Sequence, residues 1–159
     1  MGFVVFLDVD GVLNTSKTCQ KSPNGYVGID VPRVNILGRA LRKVFGEGVV
    51  LTSTWKELKP ENDDYKYLME NLNSCNVKML GSTKDDYVTK RGLGILKYLE
   101  SHPEIDEFVV LDDMHFDFEN YPKIWESFLD TKGKGIENAA AASKTPSIAA
   151  ILFLDAISK

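Results

Sequence analysis

Apolar and polar residues follow one another along the chain in blocks that predict strands and helices in turn. Three continuous apolar runs carry no polar alternation: residues 3–7, 48–51 and 108–111. Such runs are typical of strands that are covered on both faces of a sheet. Between them, apolar residues recur at helical spacing in residues 34–44, 65–72 and 93–99. Strands that alternate with helices predict an α/β fold, a three-layer α/β/α Rossmann-like sandwich around a mostly parallel sheet.

The remaining segments carry weaker signals. Residues 77–80 and 127–130 predict two further short strands, and the Thr-Pro step at 145–146 predicts the start of a C-terminal helix. The alanine run at 139–142 favours a helix, because alanine has the highest helix propensity. No repeat, linker or change of composition divides the sequence, so we predict a single domain over residues 1–159.

The segment 14–30 is polar and rich in turn residues. It contains Asn24-Gly25, the strongest two-residue signal for a β-hairpin. The segment is too long for a simple strand-to-helix loop, and long loops beside a sheet edge are often functional. We therefore predict a flap or hairpin insert over residues 14–30. The core is otherwise expected to be capless, since no stretch is long enough for a separate cap domain.

Polar residues follow each of the three strongest strands at its carboxyl end. The pairs are Asp8 and Asp10, Thr52 and Ser53, and Asp112 and Asp113. Because the carboxyl ends of parallel strands share one edge of the sheet, we expect these side chains to converge there. The carboxylates would repel one another strongly unless a cation lies between them. Oxygen-only ligands favour Mg²⁺, so the sequence predicts a magnesium site.

The same edge offers groups that suit the oxygens of a phosphate. These are hydroxyls from Thr52 or Ser53, backbone N–H groups around Gly11, and a cation from Lys90 or Arg91. A carboxylate is also a known nucleophile for phosphoryl transfer, in which it forms an aspartyl-phosphate. Together these residue types predict phosphate chemistry at the magnesium site.

Four motifs occur in order along the chain. They are DVDGVLN at 8–14, a strand ending in Thr-Ser at 52–53, a basic residue opening a later helix at 90 or 91, and LDD at 111–113. They resemble the motifs of haloacid-dehalogenase-like (HAD) phosphohydrolases. More narrowly, LDVDGVLN, LTSTWK and ILKYLESHPEIDEFVVLDD are similar to the small HAD phosphatase domains associated with RNA-repair proteins. The resemblance implies a Mg²⁺-dependent phosphatase.

The resemblance assigns roles to the acidic residues. It makes Asp8 the nucleophile and also a Mg²⁺ ligand. Asp10 is implied to be the general acid and then the base that activates water, with its backbone carbonyl on the metal. Asp112 and Asp113 would complete the metal site, and which of the two binds directly stays open.

The resemblance also assigns the residues that bind phosphate. Thr52, with Ser53 close behind, would bind the phosphoryl oxygens. Lys90 or Arg91 would neutralise charge between the phosphate and Asp8, and the sequence does not decide between them. Gly11 permits a tight turn just past the acids and lets the backbone approach a ligand, because it has no Cβ.

Composition and charge limit the partners. The net charge is −4 with scattered Lys and Arg, so no dedicated surface for duplex nucleic acid is evident. No apolar run is long enough for a membrane span. Cys19 and Cys75 lack metal spacing, and no secretory signal is recognisable, so we expect a reducing, cytoplasmic compartment. The expected partner is a phosphorylated substrate: a polynucleotide end, a nucleotide or a small phosphomonoester.

Other interpretations stay open at this point. A phospho-receiver module also gathers acids and Mg²⁺ at a sheet edge, but its paired acids come on the first strand and its phosphoacceptor on the third. A catalytically idle HAD-fold binding module is a further alternative, against which the intact Asp8 and Asp10 argue. Trp55 either packs under the site or stacks on a base, and Tyr26 on the flap could contact a substrate.

Overall fold

A six-stranded sheet forms the centre of the fold in the computed structural model, which describes residues 2–84 and 89–159. The strands are β1 (Gly2–Leu7), β2 (Gly48–Leu51), β3 (Met79–Ser82), β4 (Ile105–Asp112), β5 (Phe128–Asp130) and β6 (Ala140–Ala141). Their order in the sheet is β3-β2-β1-β4-β5-β6. The first five are parallel, and β6 pairs with β5 in antiparallel orientation. This confirms the predicted α/β fold with a mostly parallel sheet.

Helices cover both faces of the sheet. They are α1 (Val31–Lys43), α2 (Asp63–Ser74), α3 (Arg91–Ser101), α4 (Pro122–Glu126) and α5 (Ile148–Ser158). Alternate residues of β1 belong to opposite cores: Phe3, Val5 and Leu7 pack with α1, α2 and α5, whereas Val4 and Phe6 pack with α3 and α4. All five side chains are buried, which explains why β1 is apolar without alternation.

Two local expectations differ from the structure. The alanine run was expected to favour a helix, but Ala140 and Ala141 pair with Asp130 and Leu129 as the edge strand β6. Strand pairing overrides helix propensity here, because a short run has little helical stability of its own. The C-terminal helix begins at Ile148, where the hydroxyl of Ser147 accepts a hydrogen bond from the Ala150 N–H, instead of at the Thr-Pro step.

The segment 14–30 forms a small flap that is tied to α2. Within it, Lys21 and Val27 form an isolated antiparallel bridge around the predicted Asn24-Gly25 turn. The Asn24 N–H donates to Asp64 Oδ1 at 3.0 Å. Further along the flap, the Ile29 N–H donates to the Tyr67 hydroxyl at 2.9 Å. The flap therefore has a defined position beside the sheet edge.

Two further expectations concern the whole chain. The single domain over residues 1–159 stays a prediction, and Met1 and residues 85–88 of it lie outside the described residues. Among the helices of the described ranges, none combines the length and the apolar composition that crossing a bilayer requires.

Candidate active site

The register of the parallel strands brings three polar residues to one edge of the sheet. Leu7 pairs with Leu51 of β2 and with Leu111 of β4, so the next residue of each strand lies at the same level. Those next residues are Asp8, Thr52 and Asp112, and all three are buried. The Asp8 N–H donates to the Leu111 carbonyl at 3.0 Å, and the Thr52 N–H donates to the Leu7 carbonyl at 2.9 Å. The backbone ladder thus fixes their spacing.

Three carboxylates form a compact group at this edge. Asp8, Asp112 and Asp113 each offer a carboxylate oxygen, and these oxygens all lie within 4.8 Å of one another. Gly11 makes room for the group. A Cβ at Gly11 would lie 2.5 Å from Asp113 Oδ2, and its φ of +85° is one that other residues rarely adopt. Gly11 therefore serves the close approach of Asp113.

Burial makes the negative charge of this group costly. Burial and the charge of Asp112 raise the pKa of Asp8 well above its ordinary value, and Arg91 offsets this only in part. Burial raises the pKa of Asp112 to about 6, against the opposing effect of Arg91. Three crowded carboxylates, of which Asp8 and Asp112 are buried, fit a small hard cation, so the residues present are suited to Mg²⁺.

The guanidinium of Arg91 lies against two of the three acids. Its Nη1 is 3.0 Å from Asp8 Oδ1 and 2.8 Å from Asp112 Oδ2. The Phe116 ring covers the guanidinium carbon at 4.4 Å from the ring centroid. Although burial opposes it, the charges of Asp112 and Asp8 raise the pKa of Arg91, so it stays cationic. Lys90, the alternative from the sequence, is the exposed N-cap residue of α3.

The position of Arg91 depends on a cap that the sequence did not reveal. Asp117 Oδ1 accepts a hydrogen bond from the Gly92 N–H at 2.6 Å, and its Oδ2 accepts one from the Leu93 N–H at 3.1 Å. These are two of the unpaired N–H groups at the start of α3, the helix that begins with Arg91. A Cβ at Gly92 would lie 2.8 Å from Asp117 Oδ1, so glycine permits the close contact.

We expect Asp117→Ala to weaken both the fold and the site. Loss of the cap should lower the free energy of unfolding by about 1 kcal/mol, a fall in Tm of about 2–4 °C. Because Arg91 begins the uncapped helix, the phosphomonoester hydrolysis that the sequence resemblance implies should fall by about tenfold to a hundredfold. Thermal melts and initial rates measure the two effects.

A matched control separates the cap from the site. Ser147→Ala removes the hydroxyl that caps α5, which contributes none of the site residues described above. It should give a comparable fall in Tm with little change in rate. Equal losses of rate in the two variants would show that Asp117 acts through general stability alone.

Asp10 lies at the mouth of the site and is held from two sides. Its Oδ1 accepts a hydrogen bond from Asn14 Nδ2 at 3.0 Å, and its Oδ2 accepts one from Trp55 Nε1 at 3.3 Å. Asn14 Oδ1 in turn accepts the Gly11 N–H at 2.9 Å. Asp10 is exposed and does not belong to the three-carboxylate group. Its backbone carbonyl as a metal ligand stays a prediction.

The groups predicted to bind phosphate differ in what they already contact. Thr52 Oγ1 is buried and has no hydrogen-bond partner among the described residues. The hydroxyl of Ser53 instead accepts a hydrogen bond from the Trp55 N–H at 3.2 Å and caps a short 3₁₀ turn. The Gly11 N–H already donates to Asn14 Oδ1. A buried hydroxyl without a partner is costly, so Thr52 is the one that the geometry favours as a ligand of an added anion.

Sequence reasoning missed the contacts of three further side chains. Asn14 and Trp55 hold Asp10, as described above, and the Thr131 hydroxyl donates to the Gly11 carbonyl at 2.7 Å. The Thr131 N–H also donates to the Asp112 carbonyl at 3.0 Å, which ties the loop after β5 to the acids. Asn14 stands inside the DVDGVLN motif, but no local pattern indicated its contacts.

We expect the metal-free protein to lose stability as the pH rises from about 5 to about 7. Asp112 has a folded-state pKa of about 6, against about 3.9 in an unfolded chain. The folded state thus holds this proton more tightly. The resulting stability is complete below about pH 4 and is lost as the pH passes about 6. The loss from Asp112 is at most about 3 kcal/mol, and Asp8 is shifted in the same direction.

Thermal melts in EDTA at about pH 5 and about pH 7 measure this loss. Addition of Mg²⁺ at the higher pH should raise Tm, because a ligand that binds only the folded state stabilises it. Asp112→Asn cannot titrate at this position and should show a smaller dependence on pH. A metal-free wild type that is equally stable at both pH values would contradict the electrostatic account.

The fold and this arrangement of acids define a HAD-like domain. A family model described as the HAD domain in Swiss Army Knife RNA repair proteins matches residues 4–141, and the chain belongs to this family. Comparison with curated proteins and comparison with solved structures each found no match. The family is generally one of hydrolases and phosphatases, which indicates a phosphorylated substrate, and its members typically use Mg²⁺.

Proposed function

We propose that the protein is a Mg²⁺-dependent phosphatase that hydrolyses phosphomonoesters through an aspartyl-phosphate on Asp8. One observation carries the proposal. Asp8 is buried at the carboxyl edge of the sheet, with the Arg91 guanidinium 3.0 Å from its Oδ1 and two further carboxylates within 4.8 Å. A nucleophile between a fixed cation and a set of metal-type ligands is what phosphoryl transfer requires.

The two steps use Asp8 and Asp10 in turn. In the first, an Asp8 carboxylate oxygen attacks phosphorus and the bond from phosphorus to the leaving oxygen breaks, while Asp10 gives that oxygen its proton. In the second, the Asp10 carboxylate takes a proton from a water that attacks the phosphorus. The bond to Asp8 then breaks and releases inorganic phosphate. Asp10 is exposed at the mouth, where a leaving group and water can reach it.

The other residues bind and neutralise the phosphate. The Arg91 guanidinium would share its charge between Asp8 and the phosphoryl oxygens, and the Thr52 hydroxyl would donate to one of them. Asp8, Asp112 and Asp113 would hold Mg²⁺, with the Asp10 carbonyl as a further ligand. When bound, Mg²⁺ neutralises the carboxylates and the charge that develops on the phosphate.

The open edge of the sheet bears on the class of substrate. Within residues 2–84 and 89–159, the part of the chain before α1 supplies only a small flap, over residues 14–30, and Asp10 stays exposed beside it. An open site admits bulky phosphomonoesters, and we propose nucleic-acid ends or nucleotides as the substrates. The family's occurrence in RNA repair proteins supports this direction.

A substrate panel tests the proposal. It should contain para-nitrophenyl phosphate, nucleotides, sugar phosphates, phosphopeptides and oligonucleotides with 3′- or 5′-phosphates, with Asp8→Asn as the control. We expect multiple turnover of at least one phosphomonoester in Mg²⁺ and none by Asp8→Asn. A long-lived phosphorylated protein without turnover would instead favour a receiver module.

A further inference from the structure

A pocket adjoins Asp10, and apart from Asp10 and Trp55 its lining has no role in the chemistry described above. Its volume is about 400 Å³, and its lining includes Tyr26, Val27, Trp55 and Leu58, with Asp10 as part of the wall. Small-molecule sites in proteins have volumes of about 300–1,000 Å³ and mostly apolar and aromatic linings. The pocket therefore has the size and the lining of a ligand site, and it adjoins the proposed general acid.

This pocket differs from a larger depression elsewhere on the protein in that it lies beside the site acids. A depression of about 560 Å³ lies at the opposite end of β1, lined by Gly2, Phe3 and Phe45 among others. It is larger but contains none of the site acids. The smaller pocket shares Asp10 with the site, so a substrate whose leaving oxygen meets Asp10 would place its next atoms there.

The walls of the pocket are fixed in place. The Asn24 N–H donates to Asp64 Oδ1 at 3.0 Å, which ties the flap to α2 just before Tyr26. The Ser22 N–H donates to the Tyr26 carbonyl at 2.8 Å. On the facing wall, the Trp55 indole donates to Asp10 Oδ2 at 3.3 Å. Even so, 69% of the Tyr26 surface is exposed, so its ring lies open to a ligand.

The chemistry of the lining selects among leaving groups. The described lining residues include two carboxylates, Asp10 and Asp64, and neither lysine nor arginine. A second phosphate or another anion would be repelled there, whereas a planar uncharged ring can contact the two aromatic side chains. A carboxylate accepts several hydrogen bonds, so Asp64 can bind N–H groups of a ring as well as the Asn24 N–H.

We propose that this pocket binds a nucleobase of the leaving group, stacked on Tyr26 and close to Trp55. The inference rests on the proposed phosphatase function, because Asp10 serves both the chemistry and the pocket. A mononucleotide and the terminal nucleotide of an oligonucleotide present the same ring chemistry. Tyr26 is then a specificity-determining residue that acts on the base and not on the phosphate.

The test compares substrates with and without a base. Rates are measured for adenosine 5′-monophosphate, adenosine 3′-monophosphate and ribose 5-phosphate with wild type, Tyr26→Ala and Tyr26→Phe. We expect Tyr26→Ala to lower kcat/KM for the nucleotides about tenfold more than for ribose 5-phosphate, and Tyr26→Phe to keep most of the preference. Oligonucleotides with terminal 3′- or 5′-phosphates show which source of the base is preferred. Phe45→Ala, an exposed aromatic at the other end of β1, is the control.

Binding gives a readout that does not depend on turnover. Quenching of tryptophan fluorescence by adenosine 5′-monophosphate is measured in Asp8→Asn protein that also carries Trp125→Phe, so that Trp55 is the one tryptophan left, with and without Tyr26→Ala. Quenching that weakens about tenfold with Tyr26→Ala supports the pocket even if no phosphomonoester is hydrolysed, in which case only the phosphatase proposal fails. If neither kcat/KM nor quenching depends on the presence of a base or on Tyr26, the proposed nucleobase site is wrong. The phosphatase proposal is not affected by that result.

Discussion

We expect Asp8→Asn to lower the rate of phosphomonoester hydrolysis by at least about a thousandfold while the fold stays intact. An amide keeps the shape of the carboxylate and can still accept the hydrogen bond from Arg91, but it cannot attack phosphorus. The substitution also removes a charge that the neighbouring Asp112 makes unfavourable. The metal-free variant should therefore melt at or above the temperature of the wild type. Initial rates and thermal melts measure the two effects.

The matched control is Asp130→Asn. Asp130 is another buried aspartate at the carboxyl end of a strand, where its Oδ1 accepts the Lys132 N–H and its Oδ2 lies 3.0 Å from His115 Nε2. It takes no part in the proposed chemistry, so its variant should keep most of the rate. An Asp8→Asn protein within about tenfold of the wild type would contradict a covalent role for Asp8.

The sheet and the meeting of its strand ends could be predicted because each depends on simple local patterns. Phe3 to Leu7 are all apolar because their side chains enter two cores on opposite faces of the sheet. Parallel pairing then leaves little freedom: once Leu7 is level with Leu51 and Leu111, the following residues must share an edge. The order of strands along the sequence was enough to infer this convergence.

The sequence could not show which of Lys90 and Arg91 lies against the acids, and in the structure it is Arg91. Successive residues on a helix point about 100° apart, so a shift of one residue in the start of α3 decides which side chain faces the acids. That start is set by Asp117, which lies 25 residues from Gly92 in the sequence. No periodicity in the local sequence could indicate that this carboxylate reaches the end of α3.

The hydrogen bonds that position Asp10 could not be predicted from the sequence, for a similar reason. Its contact with Trp55 joins residues 45 positions apart, and it depends on the path of the chain after β2. The sequence left packing and base stacking open for Trp55, and the structure gives its indole N–H a contact with the proposed general acid. Asn14 and Trp55, which both donate to Asp10, lie in the connections that follow β1 and β2, and the conformation of such connections depends on the assembled sheet more than on propensity.

We expect removal of the divalent metal to abolish hydrolysis, with a loss of at least about a hundredfold in EDTA and full recovery in Mg²⁺. Without the metal, burial and the charges of Asp112 and Asp113 raise the pKa of Asp8 well above its ordinary value, and Arg91 offsets this only in part. A larger share of Asp8 is then protonated, and an incoming phosphate adds further negative charge. Ca²⁺ should restore less activity, because it takes more ligands at longer distances than Mg²⁺.

A substitution of Asp113 tests whether the metal binds at the group of three carboxylates. Asp113→Asn should raise the Mg²⁺ concentration for half-maximal activity at least about tenfold, because it removes one of three charged ligands. Glu107→Gln, an exposed acid near the other end of β4, should leave that concentration unchanged. The same Mg²⁺ dependence in both variants would show that Asp113 is not a ligand. Full activity in EDTA would mean that Arg91 alone balances the charge at Asp8, and the metal would then have no part in the reaction.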